Sequence, residues 1–378
     1  MLNVALLEEL IRFPSVSNVS NVDVSRWTET RLQSLGFRTE WLEYTDDEGI
    51  TKVCVSGRKG PDQGRGLAYF CHTDVVPVGS WSFPASGPWE PHRADNRLYG
   101  RGSCDMKGSL ACMLAAASEI DDSKLTAPLS IVCTADEEVG LRGAKELVAK
   151  SDYFRDIVKR QSRGIVGEPT LLDVVHAHKG GRAFRILSRG RAAHSSTGKG
   201  LNANFAMIPF LAEIKAICDE LEGDPAWQDD RFDPPTINLN LGVNDHTHAL
   251  NITPAQSVST IYFRTMPAVD AQSLCERIRS AAEANGLEIE TLFETEPLFT
   301  DPDSAFIGEL LELTGAESSR TVAYGTDGSC FGELDDVVVI GPGDIRQAHT
   351  DDEWISLEQM ERGTQIYGDM IRRWCTES

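Results

Sequence analysis

Apolar and polar positions follow two patterns along the chain. Short, continuous apolar runs at residues 67–71, 130–135 and 337–340 predict strands that are buried on both faces. Apolar residues at helical spacing predict helices at residues 2–13 and 109–119. Because strands and helices alternate, we expect an α/β fold with a mixed, largely parallel sheet and helices on both of its faces.

The order of the predicted elements changes after residue 179. A strand, a helix, two strands, a helix and a strand follow there, at residues 183–188, 202–221, 236–241, 257–264, 270–285 and 287–293. This β-α-β-β-α-β order is typical of a ferredoxin-like α+β domain. We therefore predict two domains, a discontinuous one at residues 1–179 and 295–378 and an inserted one at residues 180–294.

Composition narrows the possible partners of the protein. The 378 residues suffice for about two domains, and a formal net charge of −22 disfavours nucleic acid and anionic membranes as partners. The nine cysteines form no C-x-x-C pair, which predicts reduced thiols in the cytoplasm rather than a zinc finger. No apolar run approaches the ~20 residues that span a bilayer, and the N-terminus predicts an amphipathic helix rather than a signal peptide.

Polar side chains follow several of the predicted strands. His72 comes directly after the first apolar run, Glu137 and Glu138 follow the second, and Glu168 follows a short strand at residues 164–166. In parallel sheets the functional residues gather at the carboxyl ends of the strands, so these side chains are expected to lie close together. Side chains two residues apart on a strand point the same way, which places Asp74 beside the imidazole of His72.

Two further loops add Asp105 and His349 to this set. Two histidines and three carboxylates exceed the needs of one tetrahedral metal but suit two metals that share a bridging carboxylate. Imidazole and carboxylate ligands suit Zn²⁺, and also Mn, Co or Fe. Of the adjacent Glu137 and Glu138, one can bind metal while the other acts as a general base. The alternative is that these acids form a solvated turn.

Four motifs together resemble the M20 family of di-zinc amidohydrolases and peptidases. They are HTDVVP (residues 72–77), LYGRGSCDMKG (98–108), TADEE (134–138) and GEPT (167–170). Their order and spacing fit the family, and the resemblance runs over nearly the whole chain, including the inserted domain. It implies a metal-binding catalytic domain, an inserted dimerisation or lid domain, and two Zn²⁺ per subunit, with Co²⁺ as the alternative metal.

The resemblance also implies the five metal ligands of this chain. Asp105 would bridge the two metals. His72 and Glu168 would complete one site, and Glu138 and His349 would complete the other.

Other roles follow from the same resemblance. Glu137 would be the general base, and Asp74 would orient His72 without binding metal. His194, in the stretch GRAAHSS, would reach the active site of the partner subunit in a homodimer and stabilise the oxyanion. Without the resemblance, His194 would be interpreted as a surface histidine beside hydroxyl groups.

Three residues are implied as substrate contacts. Asn251 and Arg264 match positions that contact a substrate carboxylate or carbonyl in relatives, and a bidentate grip on carboxylate suits arginine. The position before Arg264 is often acidic in relatives but is Phe263 here. Thr326 lies in the stretch GTDGS, which resembles the Gly-rich loop on the substrate side; the alternative is a plain turn.

Local features resemble the acetylornithine deacetylase subfamily. They are Cys104 before DMKG and the phrase AHKG at residues 177–180. The resemblance implies deacetylation of N2-acetyl-L-ornithine, a small N-acylated amino acid, in arginine biosynthesis, through a bridging hydroxide with Glu137 as general base. The alternatives are a succinyl-diaminopimelate desuccinylase, another N-acyl amino acid or dipeptide hydrolase of this family, and a metal-loaded binding protein on the same fold.

Overall fold

A computed structural model describes residues 2–246 and 249–377. The chain divides into two compact units. Unit 1 comprises Met1–Ala177, Leu298–Arg320 and Thr326–Ser378, and unit 2 comprises His178–Pro297 and Thr321–Gly325. Residues 321–325, which the sequence assigned to the discontinuous domain, therefore lie in unit 2.

The described residues form nine α-helices and sixteen strands. The helices are α1 (Leu2–Ile11), α2 (Val22–Ser34), α3 (Lys107–Ser118), α4 (Arg142–Lys150), α5 (Asp152–Arg160), α6 (Ala203–Gly223), α7 (Ala271–Ala284), α8 (Ala305–Thr314) and α9 (Leu357–Cys375). The strands are β1 (Arg38–Thr45), β2 (Thr51–Lys59), β3 (Leu67–His72), β4 (His92–Ala94), β5 (Arg97–Tyr99), β6 (Leu129–Thr134), β7 (Arg163–Val166), β8 (Val175–His178), β9 (Gly180–Arg189), β10 (Leu239–Asn244), β11 (Gln256–Thr265), β12 (Glu288–Thr295), β13 (Leu298–Phe299), β14 (Arg320–Val322), β15 (Val337–Val339) and β16 (Trp354–Ser356). None of these helices is long and apolar enough to cross a membrane.

The main sheet confirms the predicted mixed, largely parallel arrangement. Its strand order is β1-β2-β6-β3-β7-β15-β8-β13, with β14 paired to β8. The central strands β6, β3, β7 and β15 run parallel to one another, whereas β1 and β2 pair antiparallel at one edge. Every residue of β3 and β6 is buried, which explains why both strands appear as continuous apolar runs.

Helices cover both faces of this sheet, as predicted. On one face, the hydroxyl groups of Tyr69 in β3 and Ser109 in α3 are 2.7 Å apart, and Ser109 is equally close to the hydroxyl of Tyr367 in α9. On the other face, the next side chain of β3, Phe70, packs against Phe154 of α5. Alternate side chains of one strand thus bind it to different helical layers.

Unit 2 has the β-α-β-β-α-β order that the sequence predicted. It contains a four-stranded antiparallel sheet in the order β10-β11-β9-β12, and α6 and α7 pack against it. The predicted strand at residues 236–241 is observed as β10, three residues further along. His246 lies beyond the end of β10, and His248 lies outside the described residues.

A small sheet that the sequence did not predict joins two loops of unit 1. Its strand order is β16-β5-β4. β5 ends shortly before the loop that carries Asp105, and β16 begins shortly after the loop that carries His349. Their antiparallel pairing, in which Trp354 faces Tyr99, places these two loops side by side although about 250 residues separate them in sequence.

Candidate metal centre

The first group of candidate ligands is buried at the carboxyl edge of the main sheet. His72 is the last residue of β3, and Glu168 follows the neighbouring parallel strand β7. Nε2 of His72 lies 3.0 Å from Oδ1 of Asp105 and 3.5 Å from Oε1 of Glu168. Only 1% of the His72 side chain is exposed. We call His72, Asp105 and Glu168 the strand group.

The second group is formed by loop residues and is more open. Nε2 of His349 lies 3.3 Å from Oδ2 of Asp105 and 3.1 Å from both carboxylate oxygens of Glu138. The His349 side chain is 52% exposed. We call Asp105, Glu138 and His349 the loop group. In each of the two groups, the candidate ligand atoms lie within 4.8 Å of one another.

Asp105 belongs to both groups and turns a different oxygen toward each imidazole. Oδ1 faces His72, and Oδ2 faces His349. A carboxylate that presents its two oxygens in two directions has the geometry of a bridge between two cations. The structure therefore brings all five predicted ligands into two groups that share Asp105.

The tautomer of His72 fits a metal ligand. Its Nδ1–H donates to the main-chain oxygen of Asp74 over 2.9 Å. A carbonyl oxygen only accepts, so in the neutral ring Nδ1 carries the proton and the Nε2 lone pair faces the carboxylates. Nitrogen and oxygen ligands in this arrangement fit Zn²⁺ or Co²⁺.

The crowded acids also fit a cation site. Burial raises the pKa of Glu168 well above its usual range, and the negative charge of Asp105 raises it further. Burial likewise raises the pKa of Glu138. Carboxylates placed this closely repel one another in their charged forms, and divalent cations between them would relieve that repulsion.

Asp74 contacts Nδ1 of His72 through two oxygen atoms, of which the main-chain oxygen is the nearer. The carboxylate oxygen Oδ1 lies 3.6 Å from Nδ1 of His72, further than the main-chain oxygen. Strand β3 ends at His72, so Asp74 lies beyond the alternating pattern on which the prediction relied. Its carboxylate instead accepts hydrogen bonds from Oγ of Ser17 (2.7 Å) and from the main-chain N–H groups of Glu137 (3.2 Å) and Glu138 (3.4 Å).

Hydrogen bonds to the preceding residue, Asp136, also hold the turn that carries Glu137 and Glu138. Asp136 has a left-handed backbone, with φ of 56°. Its carboxylate accepts hydrogen bonds from the hydroxyl of Tyr44 (2.8 Å) and from the buried ammonium of Lys52 (2.6 Å). Burial raises the pKa of Glu137 well above its usual range, which suits a group that must accept a proton near neutral pH. The sequence did not indicate the contribution of Tyr44 or Lys52.

Two more acidic residues near these loops were not predicted. Asp327 is buried, and Oγ1 of Thr134, at the end of β6, donates to it over 2.5 Å. The preceding residue, Thr326, caps the short 3-10 helix Asp327–Cys330 by accepting a hydrogen bond from the N–H of Gly328. The second acid, Glu353, is also fully buried. The GTDGS stretch was a signal for Asp327, but no motif pointed to Glu353.

His194 of unit 2 is exposed and has a defined tautomer. Its Nδ1 accepts a hydrogen bond from the main-chain N–H of Ser196 over 3.3 Å and lies 2.7 Å from Oγ of the same residue. In the neutral ring the proton therefore resides on Nε2, which is left to donate to a ligand. The N–H of Ser195 donates to the main-chain oxygen of Asn251, so the two predicted residues His194 and Asn251 lie on adjacent segments of unit 2.

Arg264 and Phe263 occupy consecutive positions of β11. Phe263 is fully buried and packs near Phe184 in the core of unit 2, so an acid at this position would face apolar side chains. Arg264 is only partly buried, and its guanidinium lies over the ring of Tyr262 at 5.4 Å from the ring centroid. Among the described residues, the ring of Tyr262 is the contact observed for this guanidinium, and no ion pair with a carboxylate is found.

Comparisons with known proteins match nearly the whole chain. Residues 68–373 match the model of peptidase family M20/M25/M40. An acetylornithine deacetylase from Myxococcus xanthus is 32% identical over 382 residues, which cover 98% of this chain and 97% of that protein.

Two solved structures share the fold. An M20 family metallo-carboxypeptidase from Sulfolobus solfataricus has a TM-score of 0.73 at 17% identity, covering 98% of this chain and 99% of that one. A dinuclear metal-binding peptidase of the M20 family from Bacillus subtilis has a TM-score of 0.67 at 13% identity, covering 98% and 96%.

Proposed function

The chain belongs to peptidase family M20/M25/M40 and is a metal-dependent amidohydrolase, and we propose that it removes the acetyl group of N2-acetyl-L-ornithine. The observation that carries the proposal is the pair of ligand groups that share Asp105, next to the half-buried Glu137. Similarity to an acetylornithine deacetylase over nearly the full chain supports this choice of acyl group and amino acid. The reaction would serve arginine biosynthesis in the cytoplasm.

The two ligand groups would hold two Zn²⁺ or Co²⁺ ions, which differ in their surroundings. His72 and Glu168 would bind one ion, Glu138 and His349 the other, and Asp105 both. When bound, such ions polarise the amide carbonyl and make a water molecule acidic enough to attack it near neutral pH.

Glu137 would move the proton in this reaction. Its carboxylate would accept a proton from the attacking water and then deliver it to the leaving amine. Burial raises its pKa, which favours proton uptake, and the hydrogen bond from its main-chain N–H to Asp74 fixes the turn that carries it. Free ornithine and acetate would be the products.

His194 would act in the active site of a second copy of the chain. Because Ser196 donates to Nδ1, the proton of the neutral ring lies on Nε2, which would donate to the oxyanion that develops in the transition state. Arg264 would bind the carboxylate of the substrate, and Asn251 and Thr326 would contribute further polar contacts.

An apolar surface on unit 2 supports the proposed homodimer. Phe205 and Ile208 of α6 are 71% and 60% exposed, and Leu241 and Val243 of the edge strand β10 are 40% and 55% exposed. Exposed large apolar side chains concentrated on one helix and one sheet edge are typical of protein–protein interfaces. We propose that two copies of the chain bury this surface against each other.

A substrate panel tests the proposed function. The purified protein, with Zn²⁺ or Co²⁺ added, is assayed on N2-acetylornithine, N-acetylcitrulline, N-succinyl-diaminopimelate and dipeptides. We expect the highest kcat/KM with N2-acetylornithine. Activity on dipeptides alone, or on the succinylated substrate alone, would refute the proposed deacetylation while leaving the metal-dependent amidohydrolase in place.

A further inference from the structure

Glu353 is a fully buried acid that no sequence motif singled out. It lies four residues after His349 and directly before β16. Its carboxylate does not belong to the strand group or the loop group. A carboxylate that is removed from water must be compensated by hydrogen bonds or by an opposite charge, so its partners show what it does.

The partners of Glu353 all belong to the loop that carries Asp105. Its oxygen Oε1 accepts from the main-chain N–H groups of Cys104 (2.8 Å) and Asp105 (3.0 Å). Its oxygen Oε2 accepts from the N–H of Gly102 (2.8 Å) and from Nη1 of Arg101 (2.8 Å). One side chain thus binds three main-chain groups and one cation within five consecutive residues.

The ion pair in this arrangement is as buried as the carboxylate. The side chains of Arg101 and Glu353 are 2% and 1% exposed. Moving either side chain away would leave the other charge buried and uncompensated, which is energetically costly. The ion pair therefore keeps both residues in place. The main chain adds a further link, because the N–H of Gly100 donates to the main-chain oxygen of Glu353 over 3.0 Å.

Glu353 therefore joins the segments that carry two of the candidate ligands. Its carboxylate accepts a hydrogen bond from the N–H of Asp105, and it lies on the same short segment as His349. The pairing of β5 with β16 extends the contact between these two segments. Asp105 belongs to both groups, but the other two ligands of the strand group, His72 and Glu168, are placed by the neighbouring parallel strands β3 and β7. In the loop group, His349 lies on the same segment as Glu353. A change at Glu353 should consequently disturb the loop group more than the strand group.

We propose that Glu353 is a positioning residue that fixes Asp105 relative to His349 and thereby sets the metal affinity of the loop group. The inference rests on the two-metal centre of the proposed function. Groups that orient metal ligands without binding the metal typically change metal affinity by about 10–100-fold when they are mutated.

The test is a metal titration of the Glu353→Gln variant. Glutamine has a similar shape but replaces one acceptor oxygen by an NH₂ group, which cannot accept from the main-chain N–H groups. Metal-free wild type and variant are titrated with Zn²⁺ by calorimetry and with Co²⁺ by visible absorption. We expect the first equivalent to bind with wild-type affinity and the second to bind about 10–100-fold more weakly, with an altered Co²⁺ spectrum.

Matched variants isolate the positioning role. Glu358→Gln, an exposed acid in the first turn of α9, removes the same charge nearby and should leave both equivalents unchanged. Glu353→Asp keeps the charge and should recover part of the lost affinity. If Glu353→Gln does not fold, Arg101→Lys carries the test, because it leaves the three main-chain hydrogen bonds and should weaken only the second equivalent, by a smaller factor.

The outcomes separate this inference from the proposed function. Wild-type protein that binds two equivalents, together with a Glu353→Gln variant that binds both normally or loses both equally, would overturn the role of Glu353 alone. Wild-type protein that binds a single equivalent would overturn the two-metal centre as well. Neither titration involves a substrate, so the choice of N2-acetylornithine does not affect the result.

Discussion

The strand group and the loop group share Asp105 but are built in different ways. His72 ends strand β3, Glu168 follows the adjacent parallel strand β7, and both are buried, whereas His349 lies in a loop and half of its side chain is exposed. The first pair is placed by the register of the main sheet. The loop ligands are supported instead by two buried acids. Asp74 accepts a hydrogen bond from the N–H of Glu138, and Glu353 accepts hydrogen bonds from the loop that carries Asp105. The two halves of the centre should therefore differ in affinity and in sensitivity to mutation.

Asp105→Ala should have the largest effect, because it removes the residue that the two groups share. We expect loss of both tightly bound metal equivalents and a fall in kcat of about 10³–10⁴-fold, which corresponds to several kcal/mol of transition-state stabilisation. Metal analysis of the purified variant and steady-state kinetics measure both effects. Asp303→Ala, at an exposed loop position, is the control and should behave as wild type. Retention of both equivalents by Asp105→Ala would contradict the shared bridge.

Glu137→Gln should separate catalysis from metal binding. We expect kcat to fall by about 10²–10⁴-fold, the usual contribution of a general base, while both metal equivalents remain bound. Metal analysis is carried out on the same preparation that is assayed. Full activity in the variant would exclude Glu137 as the base, and loss of metal would show that it also supports one of the groups.

Asp74→Asn should affect the loop group and spare His72. The main-chain oxygen that accepts from Nδ1 of His72 is unchanged in the variant. The N–H groups of Glu137 and Glu138 donate to different carboxylate oxygens of Asp74, so the NH₂ group of asparagine removes the acceptor of one of them. We expect the second equivalent to bind about 10–100-fold more weakly and the first to be retained. Zinc titration measures the two affinities separately. Selective loss of the first equivalent would instead support the original expectation that the carboxylate orients His72.

Chelation should remove the two metals one after the other. Because His349 is half exposed and His72 is buried, a chelator such as EDTA should take the metal of the loop group first. Samples of wild-type protein taken at intervals and analysed for metal content and activity should show two phases of metal loss. Simultaneous release of both equivalents would contradict the difference between the groups.

Ser17→Ala should have the smallest effect. The hydroxyl of Ser17 donates to the buried carboxylate of Asp74 over 2.7 Å, and a hydrogen bond to a charged group contributes about 1.5–3 kcal/mol to stability. We expect a loss of this size in urea unfolding and little change in kcat. Ser20→Ala, at an exposed position, should cost less than about 0.5 kcal/mol. Equal losses in the two variants would show that Ser17 does not support Asp74.

The sequence indicated the candidate ligands more clearly than the residues that support them. His72, Glu138 and Glu168 directly follow or lie close to the ends of apolar strands, and such positions are visible in the pattern of one segment at a time. Asp105 and His349 lie in loops further from these strands, and only the resemblance to a known family gave each of them an individual role as a ligand. The fold class and the β-α-β-β-α-β order of unit 2 followed from the same local patterns.

The supports escaped prediction because they depend on contacts between distant segments. Glu353 binds residues about 250 positions earlier in the chain, and Lys52 binds Asp136, which lies 84 positions later. Nothing in the local sequence of either residue distinguishes a buried ion pair from an exposed charge. For Asp74, the end of β3 at His72 decided which atom faces the imidazole, and such boundaries are poorly determined by local pattern.

The most direct test of the two-metal centre is a crystal structure of the zinc-loaded protein with anomalous scattering measured at the zinc edge. We predict two anomalous peaks about 3.5–4 Å apart, one beside Nε2 of His72 and one beside Nε2 of His349, each about 2.0–2.2 Å from an oxygen of Asp105. A single peak, or two peaks that do not share Asp105, would contradict the account.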